Sequence, residues 1–292
     1  MRASEGRRAL GAAVAAAQAA GLLMRRNLRS AKTISRQTQH DVKLELDVRC
    51  QKLIEKRLRS AFPEVAILGE EGVVGEAQAP WRWVVDPIDG TVNFTYGIPH
   101  ACVSIALQTT SAGPGGARNG SPVPARPVHA SRLTPHEPFK TVLGVVYEPF
   151  CDELWTARQG EPPRLNGRVV QVSRRRKLEE TVISLGFGKR SDLLEHMLPA
   201  FNQLVHRVRK LRIMGAAALA LCYVASGRFD AFAEAGVRLW DIAAGGFILE
   251  CAGGEFWRRP MPGDFVYEIN GNNGLIRRQL QRHIRPHPAT LL

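Results

Sequence analysis

Three short stretches of this chain place acids where chemistry would need them. In Trp83-Val84-Val85-Asp86-Pro87-Ile88-Asp89-Gly90-Thr91-Val92-Asn93-Phe94, an apolar run expected as a buried strand ends in two carboxylates three residues apart, with Pro87 between them. Gly90 permits a tight turn, and Thr91 begins what reads as a short helix. Two carboxylates at a strand end can share hard divalent cations, whose preferred ligands are oxygens. The turn behind them offers backbone N–H groups at a helix start, a setting that favours a phosphate. Cation and phosphate sites would therefore lie side by side.

An isolated Asp-x-x-Asp is most often a turn whose side chains cap the backbone. Two further stretches weigh against that reading. Gly69-Glu70-Glu71 follows the apolar run Val65-Ala66-Ile67-Leu68, and Trp240-Asp241-Ile242-Ala243-Ala244-Gly245 sits at an expected helix start, where Asp241 alone would be an N-cap. Buried carboxylates are costly unless cations compensate them. Acids at several element ends in one chain thus point to cation binding.

In order, spacing and flanks, these motifs resemble the inositol monophosphatases, members of a metal-dependent, lithium-inhibited phosphatase superfamily that also holds fructose-1,6-bisphosphatases and phosphoadenosine phosphatases. The likeness runs from about Arg7 to Asn272, apart from residues 110–140. It implies an α/β fold layered as an αβαβα sandwich, a homodimer, Mg²⁺ as cofactor with two to three ions per site, and Li⁺ as inhibitor. Carried over by position, the resemblance has Glu70, Asp86 and the Ile88 carbonyl hold one Mg²⁺, and Asp86, Asp89 and Asp241 a second. Glu70 would also reach a third, weaker site. Thr91 would work with Asp47, in Leu44-Glu45-Leu46-Asp47, to orient and deprotonate a metal-activated water. Substrate contacts would come from Glu70, Ile88, Asp89, Asp241, the Gly90 and Thr91 N–H groups, Gly215-Ala216-Ala217 and Glu234, seven residues before Asp241.

Several residues depart from the family pattern. A threonine common beside the ring is Ala216 here, and Lys189 falls where a small polar residue is usual. Gly160-Glu161-Pro162-Pro163-Arg164-Leu165 replaces a glycine-rich stretch before Asn166-Gly167, and only Lys32 or Arg36 could stand for the family's mobile lysine near the third metal. The implied activity is Mg²⁺-dependent hydrolysis of myo-inositol monophosphate, a small-molecule phosphate monoester. Histidinol phosphate, a sugar bisphosphate and phosphoadenosine phosphate are the alternatives. A reading of another class is a basic binding protein on a phosphatase scaffold.

The surrounding pattern supplies the elements that must hold these residues. Residues 1–30 are rich in Arg and Ala, as a transit peptide is, but read as the first helix, from Arg7 to Arg29. Val48, Leu53, Ile54 and Leu58 recur at helical spacing from Asp47 to Phe62, and Pro63 ends that helix. Strands are expected over Val65–Leu68, Trp81–Val85, Ala101–Leu107 and Thr141–Tyr147, the last pairing with Glu153–Thr156 as a hairpin. Residues 110–140 hold four Gly, six Pro and one acid, so they read as an inserted loop within one 1–292 catalytic domain. Beyond it come a strand over Thr181–Leu185 and a helix starting near Asp192, with Leu194, Met197, Leu198, Phe201, Leu204, Val205 and Val208 as its buried stripe. A small-residue helix over Ala216–Ser226, a strand over Phe229–Ala233 and a helix from Asp241 to Cys251 follow.

Composition bounds the rest. The 292 residues hold 40 Lys+Arg against 27 Asp+Glu, a net charge of +13, with 45% hydrophobic residues. That is a globular mix, which excludes wholesale disorder and collagen-like architecture. No apolar run approaches the ~20 residues of a membrane span, so a soluble protein away from membranes is expected. The basic residues are scattered, and Arg174-Arg175-Arg176-Lys177 lacks interleaved aromatics for stacking bases, so no nucleic-acid partner is expected. Cys50, Cys102, Cys151, Cys222 and Cys251 form no CxxC motif and read as reduced, buried thiols, in keeping with a cytoplasmic location.

Overall fold

The computed structural model describes residues 3–37, 42–76, 79–110 and 139–284. Helix α1 (Ala3–Asn27) is followed by β1 (Ile34–Gln37), β2 (Val42–Leu44), α2 (Glu45–Ala61), β3 (Ala66–Gly69), β4 (Gly72–Val74), β5 (Trp81–Asp89), α3 (Thr91–Thr95) and β6 (Cys102–Thr110). After residues 111–138 come β7 (Phe139–Glu148), β8 (Glu153–Arg158), β9 (Arg164–Leu165), β10 (Arg168–Val169), β11 (Val182–Leu185) and α4 (Ser191–Leu204). The chain then forms β12 (Lys210–Arg212), α5 (Ala217–Ala225), β13 (Ala231–Arg238), α6 (Leu239–Cys251), β14 (Glu255–Pro260), β15 (Val266–Asn272) and α7 (Arg277–Leu280).

Five layers result. In α1 the residues Ala9, Ala13, Ala16, Ala17, Ala20 and Met24 recur on one helical face and are fully buried. With Cys50, Ile54 and Leu58 of α2 they cover one face of an eight-stranded sheet, ordered β10-β9-β8-β7-β6-β5-β3-β4. The other face of that sheet, through Val84, Ala106, Val146 and Trp155, packs on α5 and α6. Those two helices are apolar nearly all round because a second sheet covers them from the far side, through Phe232, Tyr267 and Ile269. This second sheet has five strands, ordered β12-β11-β13-β15-β14, and α4 and α7 close its outer face. The expected αβαβα sandwich is what the chain forms. Among the described residues no helix is long and apolar enough to cross a membrane.

Several boundaries differ from the sequence reading. The segment expected as a 110–140 loop is shorter, since Thr110 still pairs with Phe139 and strands β6 and β7 extend to meet there. Its interior, 111–138, lies outside the described residues. The buried line of α4 is Leu193, Met197, Ala200 and Leu204, whereas Leu194, Leu198 and Val205 are exposed. Both stripes fit a 3.6-residue period, and packing on Ala233 and Ala235 of β13 selects the one beginning at Leu193. Strand β13 runs on to Arg238 and leads directly into α6, so Asp241 is the third helical residue rather than the cap. Of the thiols expected to be buried, Cys151 is exposed and Cys251 half-buried, and all five cysteines are free.

Candidate active site

Strand β5 lies inside the first sheet, between β3 and β6, and is buried from Trp83 to Asp89. Its pairing with β6 shifts register between Asp86 and Asp89, so the ladder is interrupted where the two carboxylates lie. The Asp86 carboxylate accepts the Ile88 N–H at 3.0 Å, and the Thr91 hydroxyl donates to the Ile88 carbonyl at 2.8 Å. Gly90 is required here. Its φ is +89°, and a Cβ would meet His100 O at 3.0 Å and the Ala216 Cβ at 3.2 Å. That close approach brings the Asp89-Gly90-Thr91 turn against Gly215-Ala216-Ala217.

The first turn of α5 holds Asp89 directly. The Ala217 N–H donates to its Oδ1 at 3.2 Å, and the Ala218 N–H to its Oδ2 at 2.7 Å. Cys102 Sγ lies 3.6 Å from Oδ2 as a further, weaker donor. In the Gly215-Ala216-Ala217 segment expected beside the substrate, the Ala217 N–H is engaged by Asp89. Asn93 clamps the same junction, donating to both His100 O and Met214 O. Neither Asn93 nor Cys102 stood out in the sequence, because each acts through contacts that only the folded chain creates.

Asp47 and Asp241 occupy the same local position. Each is the third residue of its helix and accepts, at 2.7 Å, the N–H of the residue preceding the helix, Leu44 and Arg238 respectively. An acid there complements the positive helix end and fixes the carboxylate's direction. Glu70 follows β3, its N–H bonded to Val85 O at 3.1 Å. The next N–H, of Glu71, is held by the buried Gln51 side chain at 2.8 Å, while Lys43 pairs with the Glu71 carboxylate. Lys32, one of the two candidates for a mobile metal-side lysine, instead caps α1, donating to Asn27, Leu28 and Ser30 carbonyls. The side chain of Arg36, the other, lies outside the described residues.

These acids share one electrostatic neighbourhood. Burial raises Glu70 to about 8, helped by repulsion from Asp241 and Asp47. Asp86 is pushed well above the usual carboxylate range by burial and by Glu70, Asp89, Asp241 and Asp47. Asp89 rises to about 7 from burial and the charge of Asp241, against the two backbone bonds that favour its ionised form. Asp241 is raised by burial and hydrogen-bonds Asp86, so the two carboxyls are near enough to share a proton. Glu234, on β13, is pushed up to about 8 by burial, Asp241 and Asp89. Sequence positions spread from 47 to 241 thus converge.

Among the described residues no three acid, histidine or cysteine side chains already converge tightly enough to grip an ion. Asp86, Asp89 and Asp241 are each turned to a backbone N–H instead. The donor set nevertheless fits a hard divalent cation. It is all oxygen, comes from rigid element ends, and carries mutual repulsion that a cation would relieve.

Compared with known proteins, the sequence matches the profile of the inositol monophosphatase family over residues 7–117 and 138–278. The chain belongs to that family. It is 37% identical over 253 residues to a protein named Nus factor SuhB from Pseudomonas aeruginosa, spanning 84% of this chain and 83% of that one. It is 34% identical over 253 residues to inositol monophosphatase 1 of Solanum lycopersicum, spanning 84% and 82%. The crystal structure of the extragenic suppressor protein SuhB from Bartonella henselae superposes with a TM-score of 0.79 at 31% identity, covering 94% of this chain and 97% of that one. Family membership supports hydrolysis of a phosphate ester as the activity.

Proposed function

We propose that the chain is a Mg²⁺-dependent phosphomonoesterase whose substrate is an inositol monophosphate or a closely similar polyol phosphate. The observation that carries this reading is the crowding of Glu70, Asp86, Asp89 and Asp241 around the β5 turn, where burial raises all four and neighbouring carboxylates raise Glu70, Asp86 and Asp89 further. Such a concentration of repelling carboxylates is stable in its ionised form only when cations join it.

Glu70, Asp86, the Ile88 carbonyl, Asp89 and Asp241 would hold the ions. Bound Mg²⁺ supplies charge neutralisation for the ester dianion, a more acidic attacking water and stabilisation of the leaving alkoxide. The chain's own residues do the remainder. Thr91, fixed by its bond to Ile88 O, orients the attacking water, and Asp47, aimed from the first turn of α2, takes its proton. Gly90 gives the turn its shape so that the backbone can approach the phosphoryl oxygens. Glu234 accepts hydrogen bonds from hydroxyls of the alcohol, in a slot kept open by Gly215 and Ala216. No residue is placed to form a covalent phosphoenzyme in this scheme.

Phosphate release from a panel of monoesters, with Mg²⁺ and with EDTA, tests the proposal. Mg²⁺-dependent turnover highest on inositol 1-phosphate is expected. Absence of release from every ester, with tight binding of RNA instead, would favour the basic binding protein. Higher turnover of histidinol phosphate, a sugar bisphosphate or phosphoadenosine phosphate would reassign the alcohol.

A further inference from the structure

Along β6, Cys102, Ser104 and Ala106 alternate onto the face that packs against α5 and α6, and Ser104 is buried there. It lies opposite Asp86 in the β5–β6 ladder, the last regular rung before the register shifts toward Asp89, so the two side chains leave the sheet side by side. The Ser104 hydroxyl donates to the Trp240 carbonyl at 3.0 Å, across 136 positions of sequence. That carbonyl belongs to the peptide bond leading into Asp241, whose carboxylate is aimed by the Arg238 N–H and reaches Asp86. One serine thus touches both sides of the Asp86–Asp241 contact: the rung that carries one acid and the backbone beside the other.

Helix α6 meets the same sheet closely one turn further on. A Cβ on Gly144 would fall 2.9 Å from Ala244 O and 3.3 Å from Ala244 Cα, so β7 needs a glycine there for the helix to come down. Gly144 pairs with Ala106, two residues along β6 from Ser104. The start of α6 is therefore seated by a close approach at one point and a hydrogen bond at another. Packing alone does not call for a hydroxyl. The neighbours on this face, Val84, Ala106 and Val146, are apolar, and an alanine in place of Ser104 would bring no polar atom to satisfy.

We propose that Ser104 is a positioning residue for the cation cluster, its hydroxyl holding the Trp240 carbonyl and thereby setting the separation of Asp86 on β5 from Asp241 on α6. An all-oxygen site selects and holds its ion by the spacing of its ligands, and Mg²⁺ tolerates little departure from its preferred geometry. The inference rests on the phosphatase reading above, and it gives Ser104 no contact of its own with ion or ester.

The experiment measures Mg²⁺ affinity by calorimetry on the metal-free protein, without substrate, in wild type, Ser104→Ala, Ser104→Thr, Ser104→Val and Asp230→Ala. Asp230→Ala breaks a buried pair with Arg175 outside the acid cluster and controls for lost stability. Ser104→Ala should weaken Mg²⁺ about tenfold, the scale of losing a group that orients metal ligands. Threonine and valine add the same bulk and differ in the hydroxyl, so Ser104→Thr should bind Mg²⁺ more tightly than Ser104→Val. Turnover of inositol 1-phosphate by Ser104→Ala should return close to wild type when Mg²⁺ is raised, because every ligand is still present. Asp230→Ala should lose more stability in urea yet keep the wild-type affinity. An unchanged affinity in Ser104→Ala, a threonine variant no better than valine, or an equal loss in Asp230→Ala would overturn the assignment. If wild type neither binds Mg²⁺ nor releases phosphate, the phosphatase reading itself fails; if it does both and Ser104→Ala matches it, only the role of Ser104 does.

Discussion

The backbone N–H of Ala218 donates to Asp89 Oδ2 at 2.7 Å, joining the end of β5 to the first turn of α5 across 129 positions of sequence. A strand end in the first sheet and a helix between the sheets are thereby locked to one carboxylate. The site's geometry depends on that junction.

Asp89→Asn removes a ligand's charge at nearly constant volume, so turnover should fall roughly 10³-fold, the scale of several kcal/mol of lost charge stabilisation. The amide can accept only one of the Ala217 and Ala218 N–H bonds, costing about 1 kcal/mol of stability. Mg²⁺ affinity by calorimetry should weaken in parallel, with the circular dichroism unchanged. Near-normal kcat would contradict the assigned role.

Gly90→Ala forces a Cβ to within 3.0 Å of His100 O at a φ of +89°. A cost of about 1–3 kcal/mol is expected in urea unfolding, with a loss of kcat as the turn shifts from the Asp89 junction. A variant as stable and active as wild type would show that the turn tolerates a side chain.

Without metal, stability should fall as pH rises. Glu70 and Glu234 sit near 8 and Asp89 near 7 in the folded chain, all above their ordinary values. Between roughly pH 4 and 8 the folded state therefore holds protons that the unfolded state has released, and the stabilisation is lost as pH passes through 7 to 8. Thermal melts in EDTA should give a lower Tm at pH 8 than at pH 5, with Mg²⁺ raising Tm more at pH 8. Asp241→Asn keeps an acceptor for the Arg238 N–H while removing one charge, so it should flatten the fall. A metal-free Tm that climbs from pH 5 to 8 would refute the crowded-carboxylate picture.

Asp230 anchors a different region. Fully buried, it accepts from Ser173 Oγ, from Arg175 at 2.9 Å and from the Val182 N–H at 2.8 Å, fastening the segment before β11 to the start of β13. Asp230→Ala should cost about 3 kcal/mol, the low end for breaking a buried pair because Arg175 remains partly solvated. Denaturant unfolding should register this loss while KM stays near its original value.

Li⁺ at millimolar concentration should inhibit turnover at moderate Mg²⁺, since an all-oxygen cage suits small hard cations, singly or doubly charged. Complete insensitivity in a steady-state assay would indicate a cation site unlike that of the family.

Much of this molecule was legible in its residues. Asp86-Pro87-Ile88-Asp89-Gly90-Thr91 reads as a strand end and tight turn because alternatives are sterically poor, and the alanine stripe of α1 declares its period. The face of α4 was not legible, because two apolar lines fit the same helix and only packing against β13 distinguishes them. Strands β14 and β15 were missed for a related reason: Trp257, Arg258 and Arg259 make β14 a half-exposed edge whose pattern is weak without its partner.

By itself the sequence determined which acids exist, the turns that carry them and the family to which they belong, since these depend on local backbone sterics and residue type. Only the tertiary structure decided that Ala217 and Ala218 donate to Asp89, that Asp47 and Asp241 aim from matching helix positions, and that Gly186 packs under the Glu234 carboxylate. Those relations are made by sheets and helices meeting across more than a hundred residues, and distance along the chain carries no information about such encounters.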